Sequence, residues 1–330
     1  MRILILIALM FGWVSVMFPQ QSSGVFDFLR RPVSSRVNAL GGENVSVIER
    51  DLSLVFHNPA FLGSEMNMDV NIGYVNYLAD INAGSVAFAR ELGERSAWGI
   101  GVNYVDYGRI EETTIENIVL GEISAKDMCF NGFFSRDLSD RWRGGVTAKV
   151  IYSAFESYSS VGLGVDLGLS YYNSDKDFSF GLVGKNLGRQ VKAYNEDIES
   201  LPWDIQMGVT QKLAHAPIRV SVTAMNLAQW KYDPVAQGVS EEDSFFTTLF
   251  KHLTFGAEFL LSDNFWLGAG YNHKLGTDMS LEVGNKMGGF SGGGGLRVKA
   301  FDIGFSVSKY HLAATSFQLN VTMALSEMKL

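Results

Sequence analysis

The sequence predicts an all-β protein: a transmembrane antiparallel β-barrel of about fourteen strands, with an N-terminal plug segment inside the barrel. Three observations lead there. Segments of about ten residues repeat along most of the chain with period-two alternation of apolar and polar positions. The face opposite the apolar one is filled with Gly, Ser, Thr and Asn rather than with charge. A strongly apolar run opens the chain, and no comparable run follows it.

The alternation is clearest in "FQLNVTMAL", where Phe317, Leu319, Val321, Met323 and Leu325 share one face and Gln318, Asn320, Thr322 and Ala324 the other. "VGLGVDLGLSYY" sets Val161, Leu163, Val165, Leu167, Leu169 and Tyr171 against Gly162, Gly164, Asp166, Gly168, Ser170 and Tyr172. "FDIGFSVSKY" repeats the pattern with Phe301, Ile303, Phe305 and Val307 on one side. Further strands are expected to start near Asp69, Asn82, Ala97, Met128, Trp142, Phe178, Trp203, Ile218, Leu253, Phe265 and Gly293.

A soluble sandwich would pack its apolar faces inward and carry many charges on the others. Here the second face holds only occasional charge, such as Lys149, Asp166 or Glu258. Strands of about 9–11 residues, apolar outside and small or polar inside, are what a membrane barrel requires, and closure removes edges that lipid cannot satisfy. Aromatics at strand ends (Tyr74, Tyr77, Tyr104, Tyr107, Tyr171, Tyr172, Trp203, Trp230, Trp266, Tyr310) are expected to form interfacial girdles.

The connections divide by length. "LADIN", "DLSDR", "NSDKD" and "SDN" are tight; "RIEETTIENIVLGEIS", "GRQVKAYNEDIES" and "AQWKYDPVAQGVSEEDSFFTTLF" are expected to be long loops. Short turns on one rim and long loops on the other are expected of such barrels. In the longest loop, Trp230, Phe245, Phe246 and Phe250 form a candidate partner-binding patch. The alternative for this loop is folding back over the barrel mouth.

Composition limits the remaining possibilities. The chain has 330 residues, 47% hydrophobic, with a formal charge of −8, which argues against nucleic acid as a partner. The single cysteine, Cys129, rules out an intrachain disulfide. Met1-Arg2 followed by the apolar run from Ile3 to Phe18 and a polar exit has the layout of a secretory signal peptide, placed at residues 1–21. The run is short for a helical span, which takes about 20 residues.

No motif carries catalysis. "GFSGG" matches G-x-S-x-G with Ser291 central, but glycines and a strand follow where a nucleophile elbow needs a helix. The five histidines lack ligand spacing, Asn44-Val45-Ser46 is a chance sequon, and no phosphate loop occurs. No cofactor and no metal site are expected, and the chain reads as non-enzymatic.

Residues 22–66 precede the first strand and alternate poorly. "SLVFHNPAFLG", residues 53–63, places Pro59 after Asn58, which favours a turn. Non-helical backbone at membrane depth is tolerated only when buried in protein or lining a cavity. Residues 22–66 are therefore expected to plug the barrel of residues 67–326, with residues 327–330 as a tail. Asn58, Pro59, Ala60 and Leu62 form the plug motif.

"NALGG", then "NPAFL", ahead of the alternating strands resembles the FadL-like superfamily of outer-membrane barrels. Within it, the PorV/PorQ branch of the type IX secretion system of Bacteroidetes is most similar, and the closing "GFSGGGGLRVKAFDIGFSVSKYHLAATSFQLNVTMAL" resembles the PorQ type best. The resemblance implies a non-enzymatic component of the Gram-negative outer membrane that supports export or surface attachment of cargo. It also implies contacts with membrane lipid, the translocon and a PorZ-like surface protein. The chain ends "SEMKL" rather than at a terminal aromatic, a departure from outer-membrane barrels. A FadL-like transporter of hydrophobic small molecules is the alternative, and it requires an apolar pocket between plug and wall.

Overall fold

The computed structural model describes residues 25–77, 80–113, 119–156, 158–195, 197–230, 244–277, 288–311 and 314–328. The signal peptide expected at residues 1–21 lies outside them. The first strands are β1 (Asp69–Asn76), β2 (Asn82–Glu91), β3 (Ser96–Thr113), β4 (Val119–Asp137) and β5 (Trp142–Phe155). Next come β6 (Tyr158–Asn173), β7 (Phe178–Lys192), β8 (Asp204–Lys212), β9 (Ile218–Ala224) and β10 (Leu253–Ser262). β11 (Phe265–Asn272), β12 (Phe290–Val298), β13 (Phe301–His311) and β14 (Ala314–Ala324) complete the wall. All fourteen form one closed antiparallel barrel in sequence order. The seam between β1 and β14 is continuous from Asp69 opposite Ala324 to Asn76 opposite Phe317, so the described wall has no free edge.

The alternation read from the sequence is the alternation of the wall. Ile72, Leu167 and Phe305 point outward and are 53%, 53% and 45% exposed, in a belt that continues around the barrel through Ile100, Val150, Met207 and Leu267. So large an apolar band is incompatible with water and matches the hydrocarbon layer. No described helix is long and apolar enough to cross a membrane; the strands do so. Three aromatics assigned to the girdles belong elsewhere. Tyr77 and Trp266 are buried, and Tyr107 turns its hydroxyl to Asp127 at 2.7 Å. Arg31 lies over the Tyr77 and Tyr107 rings and Arg36 over Trp266, so luminal cations hold all three.

The turns after the even-numbered strands are all short, while both described termini of the wall, Asp69 and Ala324, lie on that same rim. The opposite rim carries the longer connections. "LADIN" is the tight β1–β2 turn on this long-loop rim, and "RIEETTIENIVLGEIS" is largely strand. β3 runs to Thr113 and β4 starts at Val119, nine residues before the expected Met128. A hairpin rising above the bilayer has water on both sides, so it needs no apolar face, and its strands lack the alternation that marks the others. β7 likewise extends to Lys192 into "GRQVKAYNEDIES", and β12 begins at Phe290 rather than Gly293. Glu327, assigned to a tail, is ion-paired with Arg50.

Residues 25–66 lie inside the barrel. Helix α1 (Ser35–Ala39) is followed by Gly41 and Gly42 at φ +102° and +87°, a left-handed bend that L side chains resist. Short 3-10 turns follow at Leu52–Phe56, Pro59–Phe61 and Ser64–Met66. Leu52, Val55, Phe56, Leu62 and Met66 pack on Ala87, Ala89, Ala97 and Phe133 of β2–β4, with the Phe56 and Phe133 rings edge-to-face at 5.2 Å. Burying each large side chain is worth about 1.5–3 kcal/mol. The inward glycines are the sockets for this segment. A Cβ on Gly145 would collide with the Pro59 backbone, on Gly181 with the Val45 carbonyl, and on Gly270 with the backbone of Leu40 and Gly41.

Gly145→Val is therefore expected to destabilise packing of residues 25–66 by at least about 1–3 kcal/mol and expose them to protease. Gly132→Val, which faces open space, is the control that should leave the digestion pattern unchanged. Equal digestion of both variants would contradict the socket assignment.

Candidate functional site

Irregular backbone inside a barrel must find hydrogen-bond partners in the wall. The inward serines, threonines and amides supply them. Ser35 N donates to Asn320 Oδ1 at 2.7 Å, and Asn38 Nδ2 donates to Ser306 Oγ at 2.9 Å. Ser291 Oγ accepts from Gly41 N at 2.9 Å and donates to the Ala39 carbonyl at 3.0 Å. The serine of the "GFSGG" pattern thus caps the end of α1. Asn44 Nδ2 donates to Ser221 Oγ at 3.0 Å, and the Ser46 and Thr210 hydroxyls meet at 2.7 Å. Farther along, Ser179 donates to the Ser46 carbonyl, Ser170 to that of Ala60, and Ser135 to that of Leu62.

Asn58, Pro59, Ala60 and Leu62 are brought together at the centre of this arrangement, all buried. Asn58 Oδ1 accepts from Ala60 N at 3.0 Å, capping the turn that Pro59 begins, while its Nδ2 donates to the Val45 carbonyl at 3.1 Å. One side chain ties two irregular passes of the chain together. Next to it, His57 Nε2 accepts from the backbone N–H groups of Val33 and Ser34 at 3.2 and 3.3 Å. Burial pushes the His57 imidazole well below its usual range, with Lys185 and Lys149 adding to the effect, so the ring stays neutral and keeps the lone pair these bonds use.

A quartet of charges, with Arg36 and Glu258 buried and Glu49 and Arg219 partly buried, joins α1 to the wall. Glu258 of β10 accepts from Arg36 Nε at Oε1 and from Arg219 Nε at Oε2, both at 2.7 Å. Glu49 accepts from Arg219 Nη1 at 2.7 Å and lies 3.5 Å from Arg36 Nη2. Two arginines face two glutamates, so the cluster is neutral as a unit. Burial alone would raise the Glu49 carboxyl, but Arg36 and Arg219 overcome it and hold the group at about 2. Sequence reading noted Glu258 only as an occasional inward charge and missed its partners; Arg36 within "SRVNALGG" was the available hint.

The four aromatics of the longest connection are all exposed, and three of them are in ring contact, Trp230 with Phe245 at 6.1 Å and Phe245 with Phe246 at 5.8 Å. Helix α2 (Phe245–Lys251), unforeseen in that loop, leaves Phe245 and Phe246 63% and 68% exposed at the long-loop rim. Phe250, 45% exposed, has Phe255 and His273 as ring neighbours. Trp230 stacks on the His252 ring at 4.7 Å, and His252 Nδ1 and Nε2 lie 2.8 and 3.0 Å from the Met225 and Trp230 carbonyls. The middle of the loop, residues 231–243, lies outside the described residues. At the short-turn rim, cavities of about 490 and 770 Å³ flank the luminal segment and are lined by ionised groups including Arg219, Arg297, Arg143 and Glu65. Among the described residues no group of three or more His, Cys, Asp and Glu could hold a metal ion.

Removing one charge from the quartet strands its partners. Glu258→Gln is expected to cost about 3–5 kcal/mol, read from urea unfolding in micelles by tryptophan fluorescence. The Glu49 carboxyl is lower in the folded protein than its usual 4.5, so its contribution is complete above pH 4.5 and lost as pH falls toward 2. Thermal stability should fall across that window, and Glu49→Gln should flatten the fall.

No curated protein matches the sequence. Solved structures share the architecture at low identity, among them three barrels. The chain aligns with the Pseudomonas putida toluene transporter TodX at TM-score 0.56 and 11% identity, covering 88% of this chain and 97% of that one. It aligns with a Pseudomonas aeruginosa FadL homologue at 0.53 and 12%, covering 88% and 98%. For the Ralstonia pickettii toluene transporter TbuX the values are 0.52 and 12%, with 89% and 96% covered. At such identities the likeness establishes a FadL-like barrel fold alone. The model of the family described as "Type IX secretion system membrane protein PorP/SprF" matches residues 131–323, from within β4 to the end of β14. With more than half of the chain matched and a lipid-facing barrel around it, the protein is an outer-membrane barrel that belongs to the PorP/SprF family of type IX secretion system membrane proteins.

Proposed function

We propose that this barrel serves the type IX secretion apparatus by binding proteins, as a PorQ-like, non-enzymatic component that supports export or surface attachment of cargo. In this reading residues 22–66 are a plug, residues 67–326 the barrel, and Asn58, Pro59, Ala60 and Leu62 the motif that locks the plug. The observation that carries the reading is the luminal segment itself, bonded to strands around the wall and seated against inward glycines. The short-turn rim faces the periplasm, as in other outer-membrane barrels, which puts α2 on the outside. There Phe245 and Phe246, together with Trp230 and Phe250, offer an aromatic surface for a PorZ-like protein, and membrane lipid covers the belt below.

The competing reading is a transporter of hydrophobic small molecules, suggested by the two toluene transporters of the same fold. It needs a mostly apolar pocket between plug and wall. The two cavities at the short-turn rim are instead bordered by arginine, lysine and carboxylate groups, which favours the secretion role.

Deletion of the gene should abolish type IX cargo in the medium and at the cell surface, and a tagged copy should co-purify with a surface protein from solubilised outer membrane. Phe245→Ala with Phe246→Ala should leave the barrel folded but reduce that co-purification at least about tenfold, the scale set by buried aromatic anchors. Normal secretion, with hydrophobic ligand in the purified barrel, would replace this reading with the transporter.

A further inference from the structure

The outer face of β1–β4 carries a concavity of about 650 Å³ beside the long-loop rim. Strand register builds it. Tyr74, Gly84 and Tyr104 lie side by side across β1, β2 and β3. They alternate with the buried, inward-facing Val75, Ser85 and Val105, so all three face outward. Neighbouring strands lie about 4.8 Å apart, so the two tyrosines stand roughly 10 Å from each other with no side chain between them. A Cβ on Gly84 would meet only the Gly73 carbonyl, at 3.7 Å, which leaves the slot open above its floor. Both walls are anchored at their hydroxyls. Tyr74 donates to Asn82 Oδ1 at 2.6 Å and Tyr104 to Asp106 Oδ2 at 3.1 Å.

The rows on either side of the slot differ in polarity. Toward the membrane the next outward row is Ile72, Val86 and Val102, with Ile72 and Val86 53% and 50% exposed, continuous with the lipid-facing belt. Toward the rim it is Asn76, Asn82, Asp106 and Lys126. The charged residues lining the concavity are Asp80, Asp106 and Lys126. Asp106 is already engaged, since Oδ1 accepts from Gly108 N at 3.0 Å and Oδ2 from Tyr104. Lys126 Nζ stands 3.9 Å from Asp106, beyond hydrogen-bond reach, and among the described residues no cation pairs with Asp80. A slot with hydrocarbon at one end and a carboxylate and an ammonium at the other has the polarity of a zwitterionic lipid. We propose that it holds a phospholipid with an ethanolamine head group: one acyl chain between Tyr74 and Tyr104, the phosphate at Lys126 and the ammonium at Asp80. A glycerol head group would set only negative charge beside Asp80 and Asp106, and a choline head group has no N–H to donate. This lipid site does not depend on the secretion role.

The test is native mass spectrometry of the purified full-length barrel, released from micelles that contain equal amounts of phosphatidylethanolamine, phosphatidylglycerol, phosphatidylcholine and lipid A. The three phospholipids carry identical acyl chains. The ethanolamine lipid should be retained in preference to the others. Gly84→Phe fills the slot and should cut that retention at least about fivefold, because displacing the chain also lifts the head group from Lys126 and Asp80. Gly132→Phe, at an outward glycine of β4 that also faces open space, is the control and should leave it unchanged. Asp80→Asn should lower retention of the ethanolamine lipid to that of the choline lipid. Heat-dependent gel migration of each variant separates a lost site from a lost fold. The proposal is overturned by equal retention of the three phospholipids, by preferential retention of lipid A, or by unchanged retention in folded Gly84→Phe or Asp80→Asn.

Discussion

An irregular chain enclosed in a barrel must satisfy its backbone polar groups from the barrel wall, and much of this structure follows from that requirement. A regular helix would have satisfied itself. Residues 25–66 instead run through one short helix and three 3-10 turns, leaving carbonyl and N–H groups directed outward at every bend. Ser135, Ser170, Ser179, Ser291 and Asn320 meet them from five different strands. The same demand explains the wall glycines, since backbone-to-backbone approach leaves no room for a Cβ at Gly145, Gly181 or Gly270. Inward polarity in this barrel is therefore chiefly a lining for protein.

Electrostatics adds specificity to that fit. Apolar packing around Leu52, Phe56 and Met66 does not by itself fix the register of the segment against the wall. The Arg36–Glu258–Arg219–Glu49 quartet does, because each carboxylate holds two guanidinium groups at once and any slip would leave buried charge unpaired. Arg36 is held a third way by the face of Trp266 at 4.6 Å. A segment fastened this way reads as part of the resting structure, and the surfaces left for partners are the rims and the outer belt. That is the arrangement expected of a secretion component that works through contacts.

The lipid-facing wall was legible in the sequence because lipid imposes a strict period of two. Strands such as β1, β2, β5, β9, β10, β11 and β13 begin at the expected residues. Legibility ended where that pressure ended. The described outer ends of β3 and β4 rise into water, so they looked like loop. Tyr77, Tyr107 and Trp266 looked like girdle residues because composition does not distinguish an aromatic facing headgroups from one facing Arg31 or Arg36. "NPAFL" was recognisable as a buried turn from Asn58 and Pro59, but its partners, Val45 and the inward glycines, lie far away in the chain.

The central claim is that residues 25–66 are bonded into the lumen of the barrel in the register described. It is tested most directly by cross-linking in intact cells. The Ser46 and Thr210 hydroxyl oxygens lie 2.7 Å apart, and the one native cysteine, Cys129, is buried. Ser46→Cys combined with Thr210→Cys should form a disulfide in the oxidising envelope, so that a thiol-reactive mass tag labels neither position until reductant is added. Free labelling of both cysteines in folded barrel, without reductant, would contradict the account.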